Sequence, residues 1–170
     1  MDRRHTRKGT LMAAAVAAPA LLLAACGGSS SGTSGSAGSG SSPSGDVRVA
    51  THTSGQVSYL TDTSGRSLYL FEGDHGPHSS CGTGCDTVWP PLTTTGHPRP
   101  AHGTHAGMLG TAARSDGTTQ VTYGGHPLYY YSGDSSPRQT NGEGLDDFGA
   151  EWYLVSPGGA NVEHLGSSSS

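Results

Sequence analysis

The sequence predicts an all-β fold: a small domain of two pseudo-symmetric β-hairpin repeats, preceded by a disordered linker. Three observations predict it. No segment of the 170 residues holds a helical period of apolar positions. Short runs of β-branched and aromatic residues alternate with glycine-bearing turns instead. One block is also written twice, since Gly65 to Asp74 reads GRSLYLFEGD and Gly125 to Asp134 reads GHPLYYYSGD.

The elements follow in chain order. Residues 1–25 carry a basic start, with Arg3, Arg4, Arg7 and Lys8, then an apolar run too short to span a bilayer. That run ends in Leu23-Ala24-Ala25-Cys26. This box resembles that of bacterial lipoproteins, which implies cleavage before Cys26 and acylation of its thiol. Several acyl chains anchor a protein far better than one. An ordinary signal peptide with an incidental cysteine is the alternative. Residues 26–45 are the lipidated Cys and a Gly/Ser tether, with a random-coil reach of roughly 25 Å. The β domain takes 46–165, with repeats over about 55–95 and 115–160, and 166–170 is a disordered tail.

Removing 1–25 takes away four of nine basic residues and one of thirteen acids. Five Arg, no Lys and twelve Asp and Glu remain, a formal charge of −7. Such a surface does not seek phosphate backbones, so nucleic acid is excluded as a partner. Lysine chemistry is excluded outright.

Within the domain, the expected strands are 47–51, 57–62, 67–72, 119–123, 127–132 and 152–156. The turns at 62–66 and 123–126 make hairpins of 57–62 with 67–72 and of 119–123 with 127–132. A lone hairpin cannot bury its apolar face, whereas two copies facing each other can. In the repeated strand, Tyr69 and Phe71 share one face while Leu68 and Leu70 share the other; Tyr129, Tyr131, Leu128 and Tyr130 repeat the pattern. Both faces are apolar, so these strands are expected to be central. Asp74 and Asp134 open turns in which a short carboxylate accepts backbone N–H groups. The expected role of the Tyr and Asp pairs is an aromatic core plug with an Asp clamp. A ligand or redox site built on the same residues is the rival. Trp89 and Trp152 follow the two blocks.

These pieces resemble the secreted-repeat lipoproteins defined by a Tyr-x4-Asp motif, here Tyr69…Asp74 and Tyr129…Asp134. The stretches CGTGCDTVWPPL at 81–92 and TNGEGLDDFGAEWYLVSPGG at 140–159 fit as well. The resemblance covers nearly all of 55–160. It implies architecture and an extracytoplasmic place at the cell membrane. It implies no catalytic residues, since the family has no generally established activity.

Cys81 and Cys85 are expected to form a disulfide, because two cysteines outside the cytoplasm oxidise. Closing so short a loop is worth about 2 kcal/mol. Copper chelation by Cys-x3-Cys is the rival, but the βαβ unit or cupredoxin sandwich that would carry it is not written here. Histidine supplies the other metal candidates: His75 and His78 after Asp74, then His97, His102, His105 and Met108 in one loop. Imidazole and thioether suit copper, so copper is a possible cofactor, though the spacing matches no fixed motif. Solvated loop histidines are the alternative. No Gly-x-Ser-x-Gly elbow, phosphate-binding loop, His-Glu-x-x-His or dinucleotide fingerprint is present.

The expected function is a membrane-anchored, non-catalytic envelope binding or structural module. Its loops 75–80, 93–108 and 135–149 would contact an envelope protein or ligand. A copper- or haem-linked envelope protein is the alternative.

Overall fold

The computed structural model describes residues 46–163. The leader, Cys26, the linker, His164 and the tail lie outside the described residues. Nine short strands make three three-stranded sheets. In the first sheet, β1 (Arg48–Ser54) pairs antiparallel with β2 (Val57–Asp62) and parallel with β4 (Arg99–Pro100). In the second, β9 (Ala150–Leu154) lies between β3 (Tyr69–Phe71) and β8 (Leu145–Asp147). In the third, β6 (Thr119–Tyr123) lies between β5 (Leu109–Ala113) and β7 (His126–Pro127). Helix appears as α1 (Cys85–Val88) and a 3-10 turn, Ala106–Met108.

The expected hairpins close but are brief. Asp62 Oδ1 accepts the N–H groups of Ser64 and Arg66 at 2.8 and 2.9 Å, which folds the first turn. Gly124 and Gly125, at φ of 61° and 89°, make the second, in a backbone region that side chains other than glycine resist. Beyond each turn the returning strand pairs for one or two residues and then leaves. Leu68 N–H donates to Leu60 O, and Leu128 N–H donates to Val121 O. The long partner of β2 is β1, and that of β6 is β5. Strand β5 was not among the expected strands.

The returning strands go to the opposite repeat. Tyr69 and Tyr129 exchange both backbone hydrogen bonds, each at 2.9 Å, and so sit back to back at the centre. Beside them the closing segment of each repeat is exchanged. Leu92 N–H donates to Leu128 O and Leu92 O accepts from Val121, both at 2.8 Å. In mirror fashion Val155 N–H donates to Leu68 O at 3.2 Å and Val155 O accepts from Leu60 at 2.8 Å. Each repeat therefore completes the sheet of the other.

Alternation sorts the side chains onto two cores. Leu68, Leu70 and Leu128 join Val49, Leu60, Leu92, Val121 and Val155 on one side. Tyr69, Phe71 and Tyr129 join Trp89, Trp152 and both cysteines on the other. The repeated strands are thus buried on both faces, as their composition predicts.

Candidate functional site

The repeated motif is resolved by a cross-over that spacing alone does not reveal. Tyr69 Oη donates to Asp134 Oδ2 at 2.7 Å, and Tyr129 Oη donates to Asp74 Oδ2 at 2.8 Å. Each tyrosine thus finds the aspartate of the other repeat. The second carboxylate oxygen closes its own loop. Asp74 Oδ1 accepts the Ser80 N–H at 2.7 Å, and Asp134 Oδ1 accepts the Asn141 N–H at 2.9 Å. Tyr129 Oη also stands 2.7 Å from Ser79 Oγ, and Tyr69 Oη accepts from Gly142 N–H at 3.3 Å. Every carboxylate oxygen of the pair has a partner, and both tyrosines are fully buried. The clamp expected from sequence exists, but it ties repeat to repeat.

Around it the aromatic rings form one column. Trp89 and Trp152 stack at 3.9 Å between centroids and 5° between planes. Phe71 stacks on Trp152 at 4.2 Å, and Tyr131 lies against Trp89 at 4.4 Å. Tyr129 meets Trp152 edge-on at 5.1 Å, and Tyr69 meets Trp89 edge-on at 5.5 Å. Such edge contacts match the ring quadrupoles. Asp147 serves both indoles: its Oδ2 accepts from Trp89 Nε1 at 3.3 Å and its backbone O from Trp152 Nε1 at 3.0 Å. A side chain at Gly73 would strike the Phe71 ring, and one at Gly133 would strike the Tyr131 ring. Close approach is why glycine ends both blocks.

Burial raises the pKa of the Tyr69 and Tyr129 phenols far above the ordinary value, and the facing carboxylates add to the rise. Burial also raises Asp74, against the lowering influence of its Ser80 and Tyr129 hydrogen bonds. Tyr130 is raised by burial and by Asp62, to which its hydroxyl donates at 3.1 Å. The arrangement holds the phenols neutral and the core closed.

Cys81 and Cys85 are joined by a disulfide. It closes the loop that enters α1 and brings Trp89 into the column. Arg114, nearly buried, braces that loop: Nη2 donates to Cys81 O at 2.8 Å, and Nη1 donates to Ser79 Oγ and Gln120 Oε1 at 2.9 and 2.7 Å.

The proposed metal ligands are not gathered. Among the described residues no group of three or more His, Cys, Asp or Glu is placed to hold a metal ion. His75 and His78 bond to each other through backbone only, at 3.3 Å, and both are exposed. His97, His102 and His105 are exposed as well. The Met108 methyl packs against Gly124 and Gly159, and the residue joins the leucine-rich core. The thioether therefore turns inward while the imidazoles stay outside.

Clefts at the surface of the described residues include two of more than 500 Å³. One, of about 510 Å³, runs between Phe71, the disulfide loop and Phe148. The other, of about 580 Å³, lies between β1, the 61–65 turn, residues 101–102 and residues 137–138. Two of the three expected contact loops meet in this second cleft. Phe148 and Arg138 are the non-glycine residues with positive φ among those described, at 56° and 66°; Phe148 lines the first cleft, and Arg138 lines the second and also a smaller one of about 310 Å³ that holds Glu143. Neither was expected from sequence. The signal for Arg138 was faint: a cation in SSPRQT with no acid within three residues.

Comparison with known proteins gives one result. A family model described as a secreted repeat of unknown function matches residues 49–93 and 110–156, together more than half of the chain. No curated protein and no solved structure matches significantly. The two matched segments coincide with the two interlocked repeats. The chain belongs to this family of secreted repeats, which places it outside the cytoplasm.

Proposed function

We propose that the protein is a lipoprotein anchored to the outer face of the cell membrane through Cys26, and that its β domain is a non-catalytic binding or structural module of the envelope. One observation carries the reading. The repeated motif uses its polar atoms on hydrogen bonds between the repeats and to its own loops. Its residues hold a scaffold, and the scaffold presents loops. The leader and tether supply an anchor and a reach of roughly 25 Å. The scattered histidines give the copper- or haem-linked alternative no support.

Two measurements test this. Labelled palmitate enters the wild-type protein and not the Cys26→Ala variant, which leaves the membrane fraction. Photo-crosslinkers placed in loops 75–80, 93–108 and 135–149 capture an envelope component in living cells. Palmitate-free protein, or loops that capture nothing, would contradict the anchor or the binding role respectively.

A further inference from the structure

Resting on the binding-module reading, we propose that the cleft between β1 and the 137–138 loop binds the acidic group of an anionic saccharide, with Arg138 holding the charge. Three unusual features meet there. The first is the arginine itself. On a chain so rich in acids, Arg99 and Arg114 are ion-paired and Arg66 lies over the Tyr130 ring at 3.7 Å. Arg48 and Arg138 have no ion pair among the described residues, and Arg138 lines this cleft. An unpaired guanidinium offers a planar set of donors suited to carboxylate or phosphate.

The second is backbone strain. Arg138 sits at φ 66°, where a side chain is disfavoured. Its N–H donates to Gly65 O at 2.8 Å and its O accepts from Tyr59 Oη at 3.4 Å, so neighbouring segments hold it there. Glycine would fit this place without strain. Strain retained at a cleft is a sign of use.

The third is an orphan. Thr51 Oγ1 is the one buried side-chain polar atom without a hydrogen-bond partner among those described; Thr51 lines this cleft, and the oxygen itself lies covered against Gly103. Buried hydroxyls are normally satisfied.

The remaining walls decide the ligand class. They carry the Thr63 and Ser64 hydroxyls and the imidazoles of His52 and His102. Hydroxyls and imidazoles both donate and accept, as sugar hydroxyls do. Asp62 is also in the wall, but its oxygens accept from Ser64 N–H, Arg66 N–H and Tyr130 Oη. It forms no ion pair with Arg138. At about 580 Å³ the cleft exceeds what a bare phosphate fills and lies within the usual range for small ligands.

The test is calorimetric titration of the full-length protein in detergent micelles with glucuronic acid, glucose 1-phosphate and glucose. At least one of the two acids binds, and glucose binds at least about tenfold more weakly. Which acid binds tighter shows whether the natural group is a carboxylate or a phosphate. Arg138→Gly weakens acid binding at least about tenfold and raises the melting temperature. Arg138→Asn, which also tolerates the left-handed backbone, repeats the loss of binding. Arg48→Ala, a cation outside the cleft, leaves binding within about twofold. Acids that bind no better than glucose, or Arg138 variants that bind as the wild type does, overturn the assignment. Loop crosslinking that persists in such a result would leave the binding-module reading standing and refute this cleft alone.

Discussion

Alkali is the perturbation that reads the closed core most sharply. Tyr69 and Tyr129 are fully buried and face carboxylates, and Tyr130 faces Asp62; all three phenols are raised far above the ordinary value near 10. Between pH 10 and their folded values the native state keeps protons that the unfolded chain has released. Stability therefore falls as pH rises through this range. Each retained proton costs about 1.4 kcal/mol per pH unit, so three cost about 4 kcal/mol per unit. A domain with about 5–10 kcal/mol to lose then unfolds roughly one to three units above pH 10. The assay is absorbance at 295 nm against pH, read beside near-ultraviolet circular dichroism from the tryptophan column. In concentrated urea all seven tyrosines titrate in one step near the ordinary value. In the native protein a fraction titrates first, and the rest ionise in a cooperative step together with loss of the dichroism. Seven phenolates formed near pH 10 with the dichroism intact would refute the burial argument.

Other outcomes follow from the same contacts. Gly133→Ala lowers stability by about 1–3 kcal/mol in chemical denaturation, because its methyl meets the Tyr131 ring, and Gly73→Ala does the same against Phe71. Cys81→Ser with Cys85→Ser costs about 2 kcal/mol, the loop-closure entropy, and reduction of the wild type reproduces the loss in thermal melts. In the same melts Arg138→Gly gains about 1 kcal/mol by relieving the left-handed backbone, in contrast to every core substitution.

Much of the scaffold was written locally. Strands 57–62 and 119–123 stand where alternation and turn residues put them. The two-faced apolar pattern of 68–71 correctly announced a strand buried on both sides. What local pattern could not supply was the partner. Strand 67–72 leaves its hairpin after Leu68 because its long-range neighbour is β9, some eighty residues away. Strand 127–132 is cut to His126–Pro127, with bridges from Tyr129 to Tyr69 and to Pro91, for the same reason. LGTAA of β5 lacks aromatic residues and carries little strand signal; it is held by five cross-strand pairs with β6. The Tyr-x4-Asp spacing invites a bond within each repeat, whereas pseudo-symmetry lets each hydroxyl reach the opposite aspartate. The histidine loops were legible only as residue types: a run of ligating types fixes no direction, and Met108 turns inward to pack on two glycines.

The crossing of the two motifs is tested most directly by double-mutant cycles on folding free energy. The variants are Tyr69→Phe, Asp134→Asn and Asp74→Asn, alone and in the two pairs that contain Tyr69. Tyr69 donates to Asp134 across the repeats, so that pair couples by about 1–2 kcal/mol, the worth of a hydrogen bond to a charged acceptor. Tyr69 and Asp74, neighbours within one motif, share no bond, and their losses add to within about 0.5 kcal/mol. Coupling between Tyr69 and Asp74, with none to Asp134, would mean that each repeat closes on itself and that the interlocked core is wrong.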